Sequence, residues 1–466
     1  MPKNPNRRQV LAGSAALLAG CKEAGEGSVE QDILGDREVT ERPPQDAGVV
    51  DGASEDDALS DGGGDGLQDT ATDDAAQDGT TDGEPDVPTG EQPTKTKGPY
   101  WQSRGEGTLR FRVETQGSGR LYLEIDGQRY ELERTAYDVE FQWPPTTTLN
   151  IENPDLPGRF TIHQIDVFDL PAGLEVPWRL DGLTTGPIIN TVWAPIERKT
   201  DATLGWVSDT MFPSSVGVGA SMAAAAPGFL LHGGDIQYQT NPLDTWTGYF
   251  VHYGAVMQRA PMHYCIGNHD YDRVEEFASQ YARLFGVQAP DHQLDYHAVT
   301  YAGWRILMLN SERSFWFDGA QLRWMDEELE RTANNLALHG TIVAFHRPYY
   351  TLSRDLPNME VREAMHPRWV EYGVPLVLTG HNHGYERFEV DGVTYIVDAG
   401  GGASLYSTRR NAAAVDSLRP GESDLQVADS SSFGWLSLQL RLDGSIEAQR
   451  IGEGDIVVDS FTVPRP

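Results

Sequence analysis

The segment LTGHNHGYER, Leu378 to Arg387, sets two histidines one residue apart between glycines, directly after an apolar run. Imidazole nitrogen is a good ligand for zinc and iron, and glycine lets the backbone fold close around an ion. Four other apolar runs end in a similar way. TLGWV leads into Ser208-Asp209, GFLLHGG into Asp235, MHYCIG into Asn268-His269-Asp270, and TIVAF into His346. A single surface histidine needs no explanation, but sites in α/β sheets form beyond the carboxyl ends of strands. Strands that deliver Asp, Asp, Asn, His and His-x-His to one sheet edge would assemble a metal-binding constellation.

The elements that must hold these residues follow Thr200, where short apolar runs alternate with candidate helices. One such helix is AQLRWMDEELERTANNLA, whose Leu322, Met325 and Leu329 share a face. That alternation is the mark of an α/β region. From Gly98 to about Arg198 the pattern differs: GTLRFRVET, GRLYLEID and FTIHQIDVF alternate apolar and polar residues between Gly, Pro and Asp turns. This predicts an antiparallel β-domain, a sandwich, with His163 as a lone strand residue that reads as packing or surface and not as a ligand. The 466-residue chain, 39% hydrophobic, has room for two or three domains.

The formal charge is −34, and between Lys22 and Lys97 there are 22 acidic residues against 5 basic ones. That segment is almost free of aromatics, so it cannot bury enough apolar surface to offset its ordering entropy and reads as a disordered tether over 22–97. Its Asp-Gly content lacks the spacing of a calcium loop. About −20 remains on the folded part, which argues against a nucleic-acid partner. At the N-terminus, Arg7 and Arg8 precede an apolar run from Val10 to Gly20, too short to span a bilayer, so residues 1–21 read as a signal peptide. LAGC, Leu18 to Cys21, resembles a bacterial lipobox, which would make Cys21 the lipidated first residue of the mature chain. Arg7-Arg8 followed by QVL resembles a twin-arginine export signal, with Val10 where that pattern has Phe. The expected location is therefore extracytoplasmic, in the periplasm or on the cell surface, held to a bacterial membrane by the lipid. Cys265 is the second of two cysteines, and no disulfide framework is expected.

Asp209, GDIQY at Gly234 to Tyr238, GNHD at Gly267 to Asp270, VAFH at Val343 to His346 and GHNH at Gly380 to His383 resemble, in order and spacing, the motif blocks of the purple acid phosphatases within the calcineurin-like metallophosphoesterases. GPYWQS at Gly98 to Ser103 is similar to the opening of that family's fibronectin-III-like domain, and YIVDAGGGASLY and VVDSFTV to its closing strands. The resemblance covers about Gly98 to Pro466. It implies an α/β (α+β) fold: a fibronectin-III-like β-domain over 98–198, then a four-layer αββα catalytic domain over 199–466. It also implies two metal ions, the first held by Asp209, Tyr238 and His383 and the second by Asn268, His346 and His381, with Asp235 bridging them. Three anionic oxygen donors suit Fe(III) at the first site; the second set suits Zn, Mn or Fe(II). His269 would bind phosphate or protonate the leaving group, or else orient a ligand. Met211 departs from the pattern: the wider superfamily has histidine at that position and purple acid phosphatases have glycine, so Met211 brings side-chain bulk towards the first ion.

The activity implied is hydrolysis of small phosphomonoesters, as in an acid phosphatase, by hydroxide generated on the ions. Phosphodiesters or nucleotides are the alternative substrates, and a non-catalytic cell-surface binding protein is the alternative class. Arg347, Tyr385 and Arg387 lie near ligands in sequence and are within reach of a phosphate, but strand-end arginines more often pair with local carboxylates, so the three are left out of the site. His292 and His297 match no block and read as surface residues. Nothing in the sequence points to an oligomeric state.

Overall fold

The computed structural model describes residues 92–139, 158–211, 214–236, 242–271, 281, 283–286, 296–312 and 319–466. The leader, the tether as far as residue 91, Tyr238 and His292 lie outside the described residues.

Strands β1 (Thr94–Gly105), β2 (Thr108–Gln116), β3 (Tyr122–Ile125), β4 (Gln128–Glu131), β5 (Glu133–Val139), β6 (Gly158–Val167), β7 (Glu175–Asp181) and β8 (Ile188–Trp193) form two antiparallel sheets. Their orders are β1-β2-β6-β5 and β4-β3-β7-β8. Alternate residues of both, among them Trp101, Phe111, Val113, Leu123, Trp178 and Leu180, close a shared core, as the period of two in the sequence requires. The first strand begins at Thr94, upstream of the expected boundary at Gly98. The reason is Lys97, which is buried and pairs with the equally buried Glu114 at 2.5 Å. A charge is stable there only because its partner is on the neighbouring strand. His163 is buried against Thr115 at 2.9 Å.

Next come β9 (Ala202–Val207), helix α1 (Ser215–Ala225), β10 (Phe229–His232), α2 (Pro242–Met257), β11 (Met262–Tyr264) and the single turn α3 (Asn268–Tyr271). They are followed by β12 (His297–Tyr301), β13 (Trp304–Met308), α4 (Ala320–Ala333), β14 (Gly340–Ala344), α5 (Met359–Glu371) and β15 (Leu376–Thr379). The chain continues through β16 (Tyr385–Val390), β17 (Val393–Asp398), α6 (Ala412–Leu418), β18 (Gln426–Ser430), β19 (Gly434–Leu440), β20 (Ile446–Gly452) and β21 (Val457–Val463). One sheet has the order β11-β10-β9-β19-β20-β21, the other β12-β13-β14-β15-β17-β16-β18. The strands that carry the motifs are parallel within each sheet: β9, β10 and β11 in the first, β14 and β15 in the second.

These strands are apolar on both faces, as parallel strands covered on both sides must be. Leu204, Trp206, Phe229 and Leu231 meet Ile342, Ala344, Leu376 and Leu378 between the sheets. Val207, Leu230 and Met262 face outward to α1 and α2. Val343 and Val377 face a second outer layer containing Leu322, Met325 and Leu329 of α4, the helical face expected from the sequence. The sandwich is fastened to the turn between α2 and β11 through tryptophans: the Trp101 and Trp178 indole N–H groups both donate to the Gln258 carbonyl, at 3.1 and 3.3 Å.

Candidate metal centre

Beyond β9, β10 and β15 the backbone turns through left-handed conformations at Asp209, Asp235 and His381, with φ of 60°, 54° and 70°. Asp tolerates this region better than most residues, and such strain is retained where the surroundings impose it. The turns interlock: Asp209 N–H donates to the Gly234 carbonyl and Thr210 N–H to that of Asp235, both at 3.1 Å. Two glycines make the packing possible. A Cβ on Gly267 would sit 2.1 Å from Asp235 Oδ1, and one on Gly380 would sit 2.1 Å from Ser208 Oγ and 2.5 Å from Asp209 Oδ2.

His346 Nε2 lies 3.2 Å from Asp235 Oδ2, 3.2 Å from Asn268 Oδ1 and 3.3 Å from His381 Nδ1. The donor atoms of Asp235, His346 and His381 all fall within 4.8 Å of one another, a grouping one ion can satisfy. His346 Nδ1 donates to the Gly233 carbonyl at 2.9 Å, which fixes the ring with Nε2 towards the cluster. The second group is Asp209 with His383, whose Nε2 stands 3.5 Å from Asp209 Oδ1. His383 Nδ1 donates to the Ser404 carbonyl at 2.7 Å, again aiming Nε2 inward. Asp209 Oδ2 accepts Ser208 Oγ–H at 2.5 Å and the His381 N–H at 2.9 Å, the latter crossing from one sheet to the other.

The charges are ordered accordingly. Burial alone would keep His346 neutral, but Asp235 and then Asp209 raise its pKa to about 10. Burial pushes Asp235 upward, and the His346 charge outweighs it, so Asp235 titrates well below the usual carboxylate range. Burial raises Asp209 and lowers His381 and His383. One imidazolium thus sits among two buried carboxylates, where a divalent or trivalent cation would neutralise more charge.

Asp209, Asp235, Asn268, His346, His381 and His383 are therefore brought together, and Tyr238 lies outside the described residues. His269 joins the group through its backbone, which donates to Asp235 Oδ1 at 2.8 Å. Met211 accepts the Ser215 N–H on its carbonyl at 2.9 Å, seating the start of α1 just after Asp209. Arg347 pairs with Glu312 at 2.9 Å and also reaches His381 Nε2 at 3.1 Å. Tyr385 and Arg387 both bind Asp459 at 2.8 Å. His297 corrects an expectation: it is a core residue, 2% exposed, with His263 at 3.1 Å, because it opens a strand of the covered sheet.

Three contributors were not assigned roles from sequence. Asp270 accepts the N–H groups of Asp235, Ile236 and Gly267 at 2.8, 2.9 and 2.9 Å, clamping two ligand turns together. Burial and then the Asp235 charge raise its pKa to about 7. Asn382, between the two histidines, points away from them and holds Thr351 and Asp355. Tyr406 stacks on His383. All three lie in segments the family resemblance singles out, Asp270 in GNHD, Asn382 in GHNH and Tyr406 at the end of YIVDAGGGASLY, but their roles depend on contacts with distant segments.

Two facing sheets thus bring carboxylate, amide and imidazole donors together at their strand ends, as a candidate metal centre. Residues 220–385 match the model of the calcineurin-like phosphoesterase family. Purple acid phosphatase 1 of Ipomoea batatas is 30% identical over 187 residues, 36% of this chain and 38% of that relative. The Fe(3+)-Zn(2+) purple acid phosphatase 12 of Arabidopsis thaliana is 27% identical over 181 residues, 35% and 38% of the two chains. Probable inactive purple acid phosphatase 9 of the same plant is 27% identical over 195 residues, 35% of this chain and 30% of that one. The solved purple acid phosphatase PPD1 from yellow lupin (Lupinus luteus) superposes with a TM-score of 0.60 at 16% identity, covering 80% of this chain and 74% of that one, a likeness of fold. The matched part spans less than half the length of these curated relatives. Residues 220–385 are thus similar to the calcineurin-like phosphoesterases, purple acid phosphatases among them.

Proposed function

We propose that the protein hydrolyses small phosphomonoesters at a binuclear centre, as an acid phosphatase. The observation that carries this reading is the convergence of His346, Asn268 and His381 on Asp235, beside the Asp209 and His383 pair. The first ion would be held by Asp209, Asp235, Tyr238 and His383, the second by Asn268, Asp235, His346 and His381. Fe(III) fits the first set, because a tyrosinate and two carboxylates favour a hard trivalent ion, and Zn, Mn or Fe(II) fits the second. When bound, such a pair supplies Lewis acidity to the phosphoryl oxygens and activates water.

The chain's own residues supply orientation. Asp270 holds the Asp235 and Gly267 turns in register, so the shared carboxylate keeps its place. The carbonyls of Gly233 and Ser404 fix the tautomers of His346 and His383. His269, anchored by its N–H to Asp235, is the group for phosphate contact or proton delivery to the leaving oxygen. The strands from Thr94 to Trp193 are read as the fibronectin-III-like domain, and none of the candidate ligands comes from them. Anchoring through a lipid on Cys21, with residues 22–91 as a spacer, completes the proposal. Among the described residues no helix is long and apolar enough to cross a membrane.

Elemental analysis of the purified protein, combined with a panel of phosphomonoesters, phosphodiesters and nucleotides across pH, tests the reading. Two metals per chain with turnover of a generic aryl phosphate support it. Metal-replete protein inactive on monoesters but active on diesters would move it to the alternative substrates, and a site that takes up no metal would leave a binding protein.

A further inference from the structure

We infer that Tyr406 binds the phosphoryl group of the substrate from the first-ion side of the centre; the inference rests on the phosphatase reading and adds a residue to it. The Tyr406 ring stacks on His383, with centroids 4.1 Å apart and planes 19° from parallel. The Arg354 guanidinium lies over the same ring at 4.1 Å from its centroid. Two groups at that distance cannot share a face, so the ring is held between an imidazole and a cation. The hydroxyl stands 3.5 Å from His383 Nε2, closer than the ring centres are to each other, so the hydroxyl and the ligating nitrogen point the same way. A phenol oxygen projects farther from its ring than an imidazole nitrogen does. Stacked in this manner, it reaches past His383 into the space over the first-ion position, where an oxygen of a bound phosphoryl group would be.

The placement is built rather than incidental. Tyr406 N–H donates to the His383 carbonyl at 2.8 Å, and Ser431 Oγ–H donates to the Tyr406 carbonyl at 2.7 Å. On the other side, Arg354 is held to Asp355 at 2.9 Å, and its carbonyl accepts Asn411 Nδ2–H at 2.7 Å. Asn382 fixes that segment to the ligand loop: its Nδ2 donates to Thr351 Oγ1 at 2.9 Å and to the Asp355 carbonyl at 3.0 Å, and its Oδ1 accepts the Asp355 N–H at 3.0 Å. The residue between the two histidines therefore holds in place the loop whose arginine steadies Tyr406.

The test uses full-length, metal-loaded protein and two variants, with metal content, inorganic-phosphate affinity by calorimetry, and KM and kcat for an aryl phosphate as readouts. Tyr406→Phe keeps the stacked ring and removes only the hydroxyl. It should retain two metals per chain while phosphate Kd and KM both rise about 10-fold or more, the loss expected for one hydrogen bond to a charged oxygen. Arg354→Gln keeps the hydroxyl and loosens the ring, and should shift phosphate Kd the same way by a smaller factor. Unchanged phosphate affinity in Tyr406→Phe overturns the inference. So does loss of a metal in that variant, which would make Tyr406 a ligand, or an effect of Arg354→Gln larger than that of Tyr406→Phe, which would make the arginine the phosphate contact. If wild type holding two metals neither binds phosphate nor turns over, the phosphatase reading falls and this inference with it. Wild type that does both beside an unaffected Phe variant overturns the role of Tyr406 alone.

Discussion

Replacing Gly380 with alanine should empty the first ion site while sparing most of the second. The added Cβ would lie 2.1 Å from Ser208 Oγ and 2.5 Å from Asp209 Oδ2, on the hydrogen bond that joins them. Ordinary contact between such atoms is about 3.5 Å, so the Asp209 carboxylate must retreat by about 1 Å. Both atoms end short side chains in a fully buried setting, so the displacement falls on the ligand rather than on solvent. Overpacking of this kind costs about 1–3 kcal/mol of stability, and a shifted ligand lowers ion affinity by about 10- to 100-fold. Gly267→Ala is the control with a different address, because its Cβ would meet Asp235 Oδ1 at 2.1 Å and the Asp235 backbone nitrogen at 2.4 Å, the carboxylate proposed to serve both ions. Equilibrium dialysis at limiting metal, read by elemental analysis, should show Gly380→Ala losing one ion per chain and Gly267→Ala losing both, with circular dichroism reporting the fold retained. A Gly380→Ala protein that keeps both ions at wild-type affinity, or sheds the second before the first, would refute the geometry of the shared edge.

Further outcomes follow from the same centre. His346 in the metal-free protein titrates at about 10, so the stability of its pairing with Asp235 is fully present below the ordinary histidine value of 6.5 and fades as pH rises through 10. An ion binding at the second site near pH 8 should therefore expel about one proton, and its affinity should rise with pH across that window; calorimetry in two buffers of different ionisation enthalpy measures this, and zero release would contradict the assignment. Tyr238→Phe should abolish the visible charge-transfer band of iron-loaded protein without unfolding it, and identical spectra would remove Tyr238 from the ligand set. Cys21→Ser should release the protein from the membrane fraction in cells, and continued membrane retention would refute the lipid anchor.

Much of the centre was legible because its signal is local. An apolar run that ends abruptly in Asp, Asn or His announces both a strand and what stands at its end, as TIVAF does for His346 and PLVL for His381. Alternation likewise announced the sandwich, although Lys97 shows how a buried charge can belong to a strand that composition alone would assign to a tether. What stayed hidden depends on contacts between distant segments. Tyr406 reads as an ordinary aromatic until the loop after β17 brings it onto His383, 23 residues earlier. His297 reads as polar surface until β12 sets it beside His263, 34 residues earlier. Asn382 looks like a spacer between ligands because its partners, Thr351 and Asp355, lie on another loop.

Each candidate ion draws on both sheets, and the second sheet, β12 to β18, is one continuous insert between β11 and β19 of the first. The bond from His381 to Asp209 joins residues 172 positions apart. At a synthesis rate of about 5–20 residues per second, Asp209 waits roughly 10–30 s for the histidine that completes its surroundings. Strand β9 waits longer still for its neighbour β19, residues Gly434–Leu440. The centre is thus a late event in the life of the chain. Were the chain exported as proposed, the side of the membrane on which β19 joins β9 would be the side whose metal pool fills the site, so the export route and the choice of ions would become a single question.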